Sequence, residues 1–520
     1  MKGAVAAGHP LTAEAGARIL AAGGNAVDAC IAAAVVSWVA ESPLTGPGGG
    51  GFMLVHRARD RSDRVLDFFV TVPGRGLAAG EGGEMEAVDV AFDVEALQTF
   101  RVGAASVAVP GTVAGLAEAH RLYAKLPWAE LFAPALETAR KGVRLNESQA
   151  VLHAILDPVL RYGAEARRIY GEDRGLGAGD VIPTGDLGTT LEVLAAEGER
   201  AFYEGELGRQ ISEALRADGG RVTDEDLAAY RVIRRTPVRA AYRGREFVSN
   251  PPPSSGGVLI AFALRVLDVA GESGAFGTPE AISSLAEAMR EATRARAGSF
   301  AGDLYRGGLS GRLLSETRIR EAAAKIRAAV RDAVAEPAGA PSTTHVSVVD
   351  AAGNAASLSA SLGCGSGVVV SGTGVQLNNM LGEEDLNPDG RAVPGRRLTS
   401  MMAPSLVLEQ GRPRLVVGSA GSIRLRAAIL QIVVDVVRHG MSVDEAIAAP
   451  RIHLDDGRLH LEGGFDPALA GALSERGYDA FSWRERNLYF GGVSAVALLQ
   501  SGALQAAGDP RRGGAGVVVA

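Results

Sequence analysis

The pattern of apolar and polar positions alternates between helical and extended periods along the whole chain. The spacing in "HPLTAEAGARILAAGGN" predicts a helix with Thr12 as its N-cap and Gly23-Gly24 at its end. The next run, Ala26–Ala40, is apolar on every side and contains Asp28. Because it is shorter than the roughly 18 residues that span a membrane, it predicts a buried helix. A glycine-rich turn follows, and then an alternation that predicts a hairpin over residues 52–70.

Two later segments carry strong helix signals. The stretch "GTPEAISSLAEAMREATRARAG" places Thr278 as N-cap and Pro279 at the first helical position. The stretch "RLRAAILQIVVDVVRHG" predicts a long helix, and Ser442 with Glu445 form a capping-box pattern that opens the next one. Helices and strands mixed in this way favour a layered α/β architecture.

The segment "EPAGAPSTTHVSVVD" poses a chemical question. Residues 337–342 resemble a linker, whereas the chain from Thr344 onward predicts a strand, a turn around Gly353-Asn354 and a second strand. If the bond between Ser342 and Thr343 is cut, the new α-amine can serve as the base for the Thr343 hydroxyl. The ordinary pKa of an α-amine, about 7.7–8.0, leaves part of it neutral near physiological pH. On these residues alone, a threonine pair that merely favours a strand remains an alternative.

Composition narrows the possible partners. The 520 residues carry a net charge of −7 and no basic stripe with interleaved aromatics, which argues against nucleic acid and anionic membranes. The N-terminus lacks an apolar signal core, so we expect a cytoplasmic protein. The two cysteines define no disulfide framework, and the eight histidines show no metal-ligand spacing. We therefore expect neither a metal nor another cofactor.

Several long motifs occur together and in a characteristic order. They include "HPLTAEAGARILAAGGNAVDA", "VPGTVAGLAEAH", "TDEDLAAYRVIRRTPVRAAYRG", "PSTTHVSVVDAAGNAASLS", "LNNMLGEEDLNP" and "DEAIAAPRIH". Over nearly its whole length the chain resembles the γ-glutamyltransferase (glutathione hydrolase) family of N-terminal-nucleophile (Ntn) hydrolases.

The resemblance implies a four-layer αββα Ntn-hydrolase sandwich built from both segments of one precursor. Autocatalytic cleavage between Ser342 and Thr343 would give a large subunit, residues 1–342, and a small subunit, residues 343–520. Thr343 would take an acyl group from a small-molecule amide and pass it to water or an amine. Ser361 stands where the family has a second threonine that binds the nucleophile.

The oxyanion site implied by the resemblance is formed by backbone N–H groups of Gly421 and Ser422 in "GSAGSIR". This position also has a physical reason of its own. A long helix is predicted to start near Arg424, and its N-terminal dipole would face the developing negative charge.

The residues implied to bind the γ-glutamyl group depart from the family pattern. Phe69 replaces an arginine that grips the substrate α-carboxylate, and an aromatic ring cannot replace a guanidinium fork. Gly363 replaces an asparagine, and Met380 stands where Gln or Glu is usual. Glu383 matches the acidic residue that binds the substrate amine. Of a serine pair only Ser400 remains, followed by Met401.

These departures predict an acyl group that is more apolar than γ-glutamyl or that lacks its amino-acid head. Arg75 in "PGRG" is a candidate for a displaced carboxylate clamp. Two other functions stay open: cleavage of another bond, such as C–C, in a specialised metabolite, and an inactive scaffold. Cys364 in "GCGSG" and the glycine run "GPGGGGF" are interpreted as packing and turn residues rather than as a nucleophile and a phosphate loop.

Overall fold

A computed structural model describes residues 1–78, 80–93, 96–327, 343–388, 391–421 and 424–520. Ser342 and Ser422, and with them the 337–342 segment, lie outside the described residues.

The described strands fall along the whole chain. They are β1 Gly3–Ala7, β2 Gly50–Arg57, β3 Ser62–Phe68, β4 Glu86–Asp93, β5 Ala96–Val102, β6 Val143–Arg144, β7 Val181–Ile182, β8 Ile233–Arg235, β9 Val238–Tyr242, β10 Arg245–Ser249, β11 Thr344–Asp350, β12 Ala355–Ser361, β13 Val369–Val370, β14 Val375–Gln376, β15 Ser405–Glu409, β16 Arg412–Ala420, β17 Ile452–Asp455, β18 Arg458–Leu461, β19 Asp479–Ser482, β20 Gly492–Leu498, β21 Leu504–Gly508 and β22 Ala515–Val519.

The described α-helices are interleaved with these strands. They are α1 Pro10–Ala21, α2 Ala26–Ala40, α3 Thr112–Tyr123, α4 Trp128–Lys141, α5 Glu147–Leu160, α6 Ala164–Tyr170, α7 Gly185–Glu197, α8 Arg200–Tyr203, α9 Glu206–Ala217, α10 Asp224–Ala229, α11 Gly256–Ala270, α12 Pro279–Arg294, α13 Phe300–Arg306, α14 Leu309–Leu313, α15 Glu316–Arg327, α16 Arg424–Val437, α17 Val443–Ala448 and α18 Leu469–Glu475.

Two antiparallel sheets form the centre of the molecule. The larger sheet has the strand order β22-β1-β11-β12-β2-β3-β8, and the smaller has the order β21-β20-β16-β15-β10-β9. Residues from both sides of the predicted cleavage point are paired within the larger sheet, since β11 lies between β1 and β12. A cut before Thr343 would therefore leave two segments that share one sheet.

Alternation along the strands separates the two faces of the larger sheet. Met53 and Val55 of β2 pack with the helices α1, α2 and α4 on one side. Phe52 and Leu54, their neighbours, face the other way and pack with strands of the smaller sheet. Helices α11, α12 and α16 cover the outer side of the smaller sheet and belong to the same core. The arrangement is the α/β architecture that the sequence predicted.

The predicted local elements are confirmed, with one correction. Helix α2 has the predicted bounds and is buried along its whole length, and Thr278 caps α12 as expected. Thr12, however, is not an N-cap: the ring of His9 accepts a hydrogen bond from Leu11 N and caps α1 instead. Pro10 at the first helical position fixes the start of α1 three residues earlier than the capping preference suggested.

Candidate active site

Thr343 and Ser361 lie at the same end of neighbouring strands. Thr344 pairs with Ala360, so the antiparallel register, continued by one residue, sets Thr343 opposite Ser361. Both are buried, with 4% of their surface exposed. Since side chains alternate along a strand, Thr343 shares a face with His345, which points towards the smaller sheet.

Thr343 lines a cleft that encloses about 650 Å³, part of it open to solvent. Apolar side chains form much of its wall: Pro43, Leu44, Leu152, Ala420, Leu488 and Val493. Its polar side chains include Glu41, Gln149, His153 and Arg512. Most of the exposed surface of the cleft is apolar, although more than half of the residues that line it are polar or charged. Apolar surface with convergent polar groups is the usual form of a small-molecule site.

Glu41, the residue after α2, is a buried carboxylate in this cleft. It accepts hydrogen bonds from Thr12 Oγ1 at 2.7 Å and from Thr344 Oγ1 at 2.5 Å. Burial raises the pKa of Glu41, whereas the two threonine hydroxyls and the charge of Arg512 oppose that rise. Glu41 therefore ties the residue that follows Thr343 to the helices above the larger sheet.

The side of the cleft near Gly421 carries positive charge. A Cβ placed on Gly421 would lie 3.5 Å from Nη2 of Arg512. Burial, followed by the charge of Arg424, lowers the pKa of Arg512 to about 10, so this guanidinium stays charged at neutral pH. Gly421 has a φ of +124°, which favours glycine, and α16 starts at Arg424 close behind it. Backbone, helix dipole and arginines together favour an anion here.

Buried ion pairs hold the chain beside Arg512 in place. Arg511 pairs with Glu462 at 2.5 Å and with Asp509 at 3.2 Å, and Asp509 also pairs with Arg451 at 2.7 Å. Asp509 additionally accepts a hydrogen bond from Val493 N in β20. Removing one member would leave an uncompensated buried charge, so the turn that carries Arg512 is rigidly attached to the smaller sheet.

Phe69 lies in the hydrophobic core, not on the wall of the cleft. Its ring stacks on Phe52 with 5.4 Å between centroids, and 1% of the residue is exposed. Its carbonyl accepts hydrogen bonds from Tyr230 and from Arg397. Arg397 thus lies next to Phe69, but its guanidinium already donates to backbone carbonyls and pairs with Asp67 at 3.3 Å.

Gly363, Asn379 and Glu383 form a second group. A Cβ on Gly363 would lie 2.0 Å from Asn379 Oδ1 and 2.7 Å from Glu383 Oε1, so a larger side chain has no room there. The Asn379 amide occupies that space and accepts a hydrogen bond from Cys364 N. Burial, with a smaller contribution from Asp385, raises the pKa of Glu383 to about 7.

Met380, Ser400 and Met401 are buried among other protein groups. Met380 belongs to the core between the sheets. The Ser400 hydroxyl accepts from Met402 N at 3.1 Å, and its carbonyl accepts from Ser255 N at 2.8 Å. Met401 Sδ accepts from the Ser255 hydroxyl at 3.0 Å. None of these three, nor Phe69, Gly363 or Glu383, is among the residues that line the Thr343 cleft.

The remaining candidates lie elsewhere. Arg75 is half exposed, faces Asp226 at 3.9 Å and does not line the cleft, so the structure does not support the displaced clamp. Cys364 is buried and burial raises the pKa of its thiol, which makes it a poor nucleophile. In the part of the chain that the structure describes, no group of three or more His, Cys, Asp or Glu side chains could hold a metal ion.

Glu41 and Arg512 were not anticipated from the sequence. Their contacts join residues far apart in the chain, such as Glu41 and Thr344, and no local motif marks such a pair. One signal was available for Glu41: an acidic residue directly after an entirely apolar helix is unfavourable for the helix dipole. A compensating partner could have been suspected there.

Comparisons with known proteins agree with this geometry. The cephalosporin acylase from Bacillus halodurans superposes with a TM-score of 0.85 at 27% identity, over 99% of this chain and 95% of that one. The fold is therefore that of the Ntn hydrolases. The sequence matches the family described as Gamma-glutamyltranspeptidase over residues 12–519. The chain belongs to that family and is an enzyme of its amidohydrolase and acyltransferase class.

Two relatives of similar identity carry different names. The Acylase ACY 1 proenzyme of Pseudomonas sp. (strain SE83) is 35% identical, covering 100% of this chain and 94% of the relative. The Glutathione hydrolase proenzyme of Escherichia coli (strain K12) is 31% identical, covering 98% and 90%. The predicted family resemblance is thus confirmed. No helix among the described residues has the length and apolar character to cross a membrane.

Proposed function

We propose that this protein is a precursor that cleaves its own chain before Thr343 and then hydrolyses or transfers the acyl group of a small amide. Residues 1–342 would form the large subunit and residues 343–520 the small one. The observation that carries the proposal is the position of Thr343: buried at the start of β11, opposite Ser361 and on the wall of an apolar cleft. Both relatives, the acylase and the glutathione hydrolase, are named proenzymes, which supports processing.

Apart from the substrates and water, the proposed chemistry uses only groups of this chain. In the precursor the Thr343 hydroxyl adds to the carbonyl of residue 342, the C–N bond breaks, and water hydrolyses the resulting ester. In the mature enzyme the same hydroxyl adds to the substrate carbonyl while its proton passes to the α-amine of Thr343. The protonated amine returns that proton to the leaving nitrogen as the amide bond breaks. Water or an acceptor amine then resolves the acyl-enzyme.

Three groups of this chain would assist those steps. Ser361 would orient the nucleophile, and the backbone around Gly421 and Ser422 would stabilise the oxyanion. Donors preorganised in this way typically contribute about 10²- to 10³-fold in rate. The positive charge near Gly421 supports that placement.

We further infer that the acyl group is not γ-glutamyl. An α-carboxylate would lose its charge-assisted partner at Phe69, at a cost of about 1.5–3 kcal/mol. The Phe69 ring is packed in the core, and Arg397 is already engaged by Asp67. The apolar cleft walls favour an acyl chain without an amino-acid head, in keeping with a relative named an acylase.

Two measurements test the proposal. Denaturing electrophoresis with N-terminal sequencing should show two chains, the smaller starting at Thr343, and a single chain for Thr343→Ala. A matched set of p-nitroanilides, γ-glutamyl, glutaryl and pentanoyl, then separates the acyl preferences. We expect the γ-glutamyl compound to have a kcat/KM at least about tenfold below the best of the three. An uncut chain with full turnover, or a clear preference for γ-glutamyl, would contradict the proposal.

A further inference from the structure

The imidazole of His345 bridges the two sheets beside the nucleophile. His345 is the second residue of β11, is 2% exposed and lies two positions after Thr343 on the same face. Its Nδ1 lies 2.8 Å from Ser359 Oγ in β12, and its Nε2 lies 3.0 Å from Ser347 Oγ. The ring is thus held by hydroxyl groups of its own sheet.

The hydrogen-bond pattern assigns the tautomer of the ring. Ser347 gives its single hydroxyl proton to the carbonyl of Ser494 in β20, at 3.0 Å. Ser347 Oγ must then accept from His345, so Nε2 carries the proton and Nδ1 accepts from Ser359. Burial lowers the pKa of His345 to about 3, so the ring is neutral throughout the working pH range. A ring in this state is suited to holding groups in place rather than to proton transfer.

The opposite side of the ring rests on Gly418 of β16. A Cβ at Gly418 would lie 2.2 Å from Cε1 and 2.3 Å from Nδ1 of His345, closer than real contacts allow. The ring cannot move aside without breaking its bonds to Ser359 and Ser347. Only glycine at position 418 allows the two strands this approach.

The two strands joined in this way carry the two halves of the proposed chemistry. His345 lies two residues from Thr343, and Gly418 lies three residues before Gly421 in the same strand direction. A displacement of β16 relative to β11 would change the distance from the nucleophile to the oxyanion donors. Misplacement by about 1 Å can cost roughly 10²-fold in rate.

We propose that His345 is a positioning residue that, by resting on Gly418, sets the separation between Thr343 and the oxyanion donors. This inference rests on the proposed function, and it assigns the ring no proton transfer. It predicts that the size of the side chains at positions 345 and 418 affects kcat more than the charge of the ring does.

A double-mutant cycle tests the contact. Gly418→Ala forces a methyl group into the ring, His345→Ala removes the ring, and the double variant puts the methyl group into the vacated space. We expect each single variant to lower kcat by about 10- to 100-fold with KM changed less than about threefold. The double variant should be no slower than the slower single variant, whereas independent effects would multiply.

Val348→Ala is the matched control. Val348 is buried in the same strand but faces the helices on the other side of the sheet. Its replacement should lower the melting temperature while leaving kcat intact, so lost stability alone does not explain the cycle. If Gly418→Ala does not fold, His345→Gln, which adds no volume, is tested in its place. It should likewise lower kcat and not KM.

The outcomes are decisive in both directions. A folded Gly418→Ala variant with wild-type kcat, or losses that multiply in the double variant, would overturn the proposal. So would a pH profile of kcat that loses its midpoint in the His345 variants, because that would make the ring the proton acceptor. If the wild type is never cut before Thr343, the proposed function fails instead, and electrophoresis reports this separately.

Discussion

The start of β11 keeps the hydroxyl groups expected for the family, whereas the region around Phe69 departs from the family pattern. At β11, the hydroxyl residues expected for the family chemistry, Thr343 and Ser361, lie side by side, and Thr343 lines a cleft. In the second region, three of the positions expected to bind a γ-glutamyl head, Phe69, Met380 and Met401, hold apolar side chains packed into the core. The register of the sheet fixes the positions of Thr343 and Ser361. In the second region, individual side chains such as Phe69 determine which groups are present. On the proposed function, the chain keeps the family reaction and changes the substrate.

The largest expected effect comes from Phe69→Arg, which tries to restore the family arginine. A guanidinium in the space of a core ring would be desolvated beside Arg397, and we expect a loss of roughly 3–5 kcal/mol of unfolding free energy. Phe69→Leu, the size control, should cost about 1–2 kcal/mol. Urea titration measures both. If Phe69→Arg is stable and hydrolyses γ-glutamyl-p-nitroanilide faster, the two regions are not as separate as described.

The next effect concerns the stability that the protein loses at acid pH because of His345. Its pKa falls from 6.5 in the unfolded chain to about 3 in the folded protein, so the unfolded state binds the extra proton between these values. Stability is therefore present above pH 6.5 and is lost as the pH falls, by roughly 3–5 kcal/mol in total. His345→Gln should flatten this part of the curve relative to wild type. Equal acid sensitivity in urea titrations from pH 7 to 3.5 would refute the buried neutral ring.

Substitutions at Ser361 test the catalytic side of the comparison. Ser361→Ala removes the hydroxyl opposite Thr343, and we expect kcat to fall by about 10²-fold with little change in KM. Ser361→Thr, which keeps the hydroxyl, should stay within about threefold of wild type. Steady-state kinetics on the best p-nitroanilide decides between them. Equal activity of the alanine and threonine variants would remove Ser361 from the mechanism.

Glu41→Gln gives the smallest effect. Because burial raises the pKa of Glu41, the folded state favours its protonated form, and its contribution to stability declines as the pH rises above 4.5. The neutral amide escapes this decline. The variant should therefore gain stability relative to wild type between pH 4.5 and 8, measured by urea unfolding. A constant difference across that range would show that Glu41 does not titrate there.

Local elements could be predicted from the sequence because their signals are local. The hairpin of β11 and β12 follows from alternation and from the turn at Gly353-Asn354, and α2 follows from an unbroken apolar run. The capping prediction at Thr12 failed because a ring nitrogen of His9 can replace a hydroxyl as the cap. Propensity favours a residue type at a cap but does not exclude another acceptor.

The site could be predicted only in part. Thr343 and Ser361 could be placed together because the short turn between β11 and β12 sets the register of these two strands. The contacts of Glu41 with Thr344, of His345 with Gly418 and of Arg512 with Gly421 depend on how distant segments pack, and no spacing in the sequence encodes them. The substitutions at Phe69, Met380 and Met401 were visible in the sequence, but the burial of these side chains in the core was not.

The most direct test is the mass of the small chain after brief reaction with the best acyl amide and acid quenching. We expect a chain that starts at Thr343 and a fraction of it heavier by one acyl group, which peptide mapping places on that residue. A protein that turns over the amide at full rate as one uncut chain, or whose acyl group maps to another residue, would contradict the account.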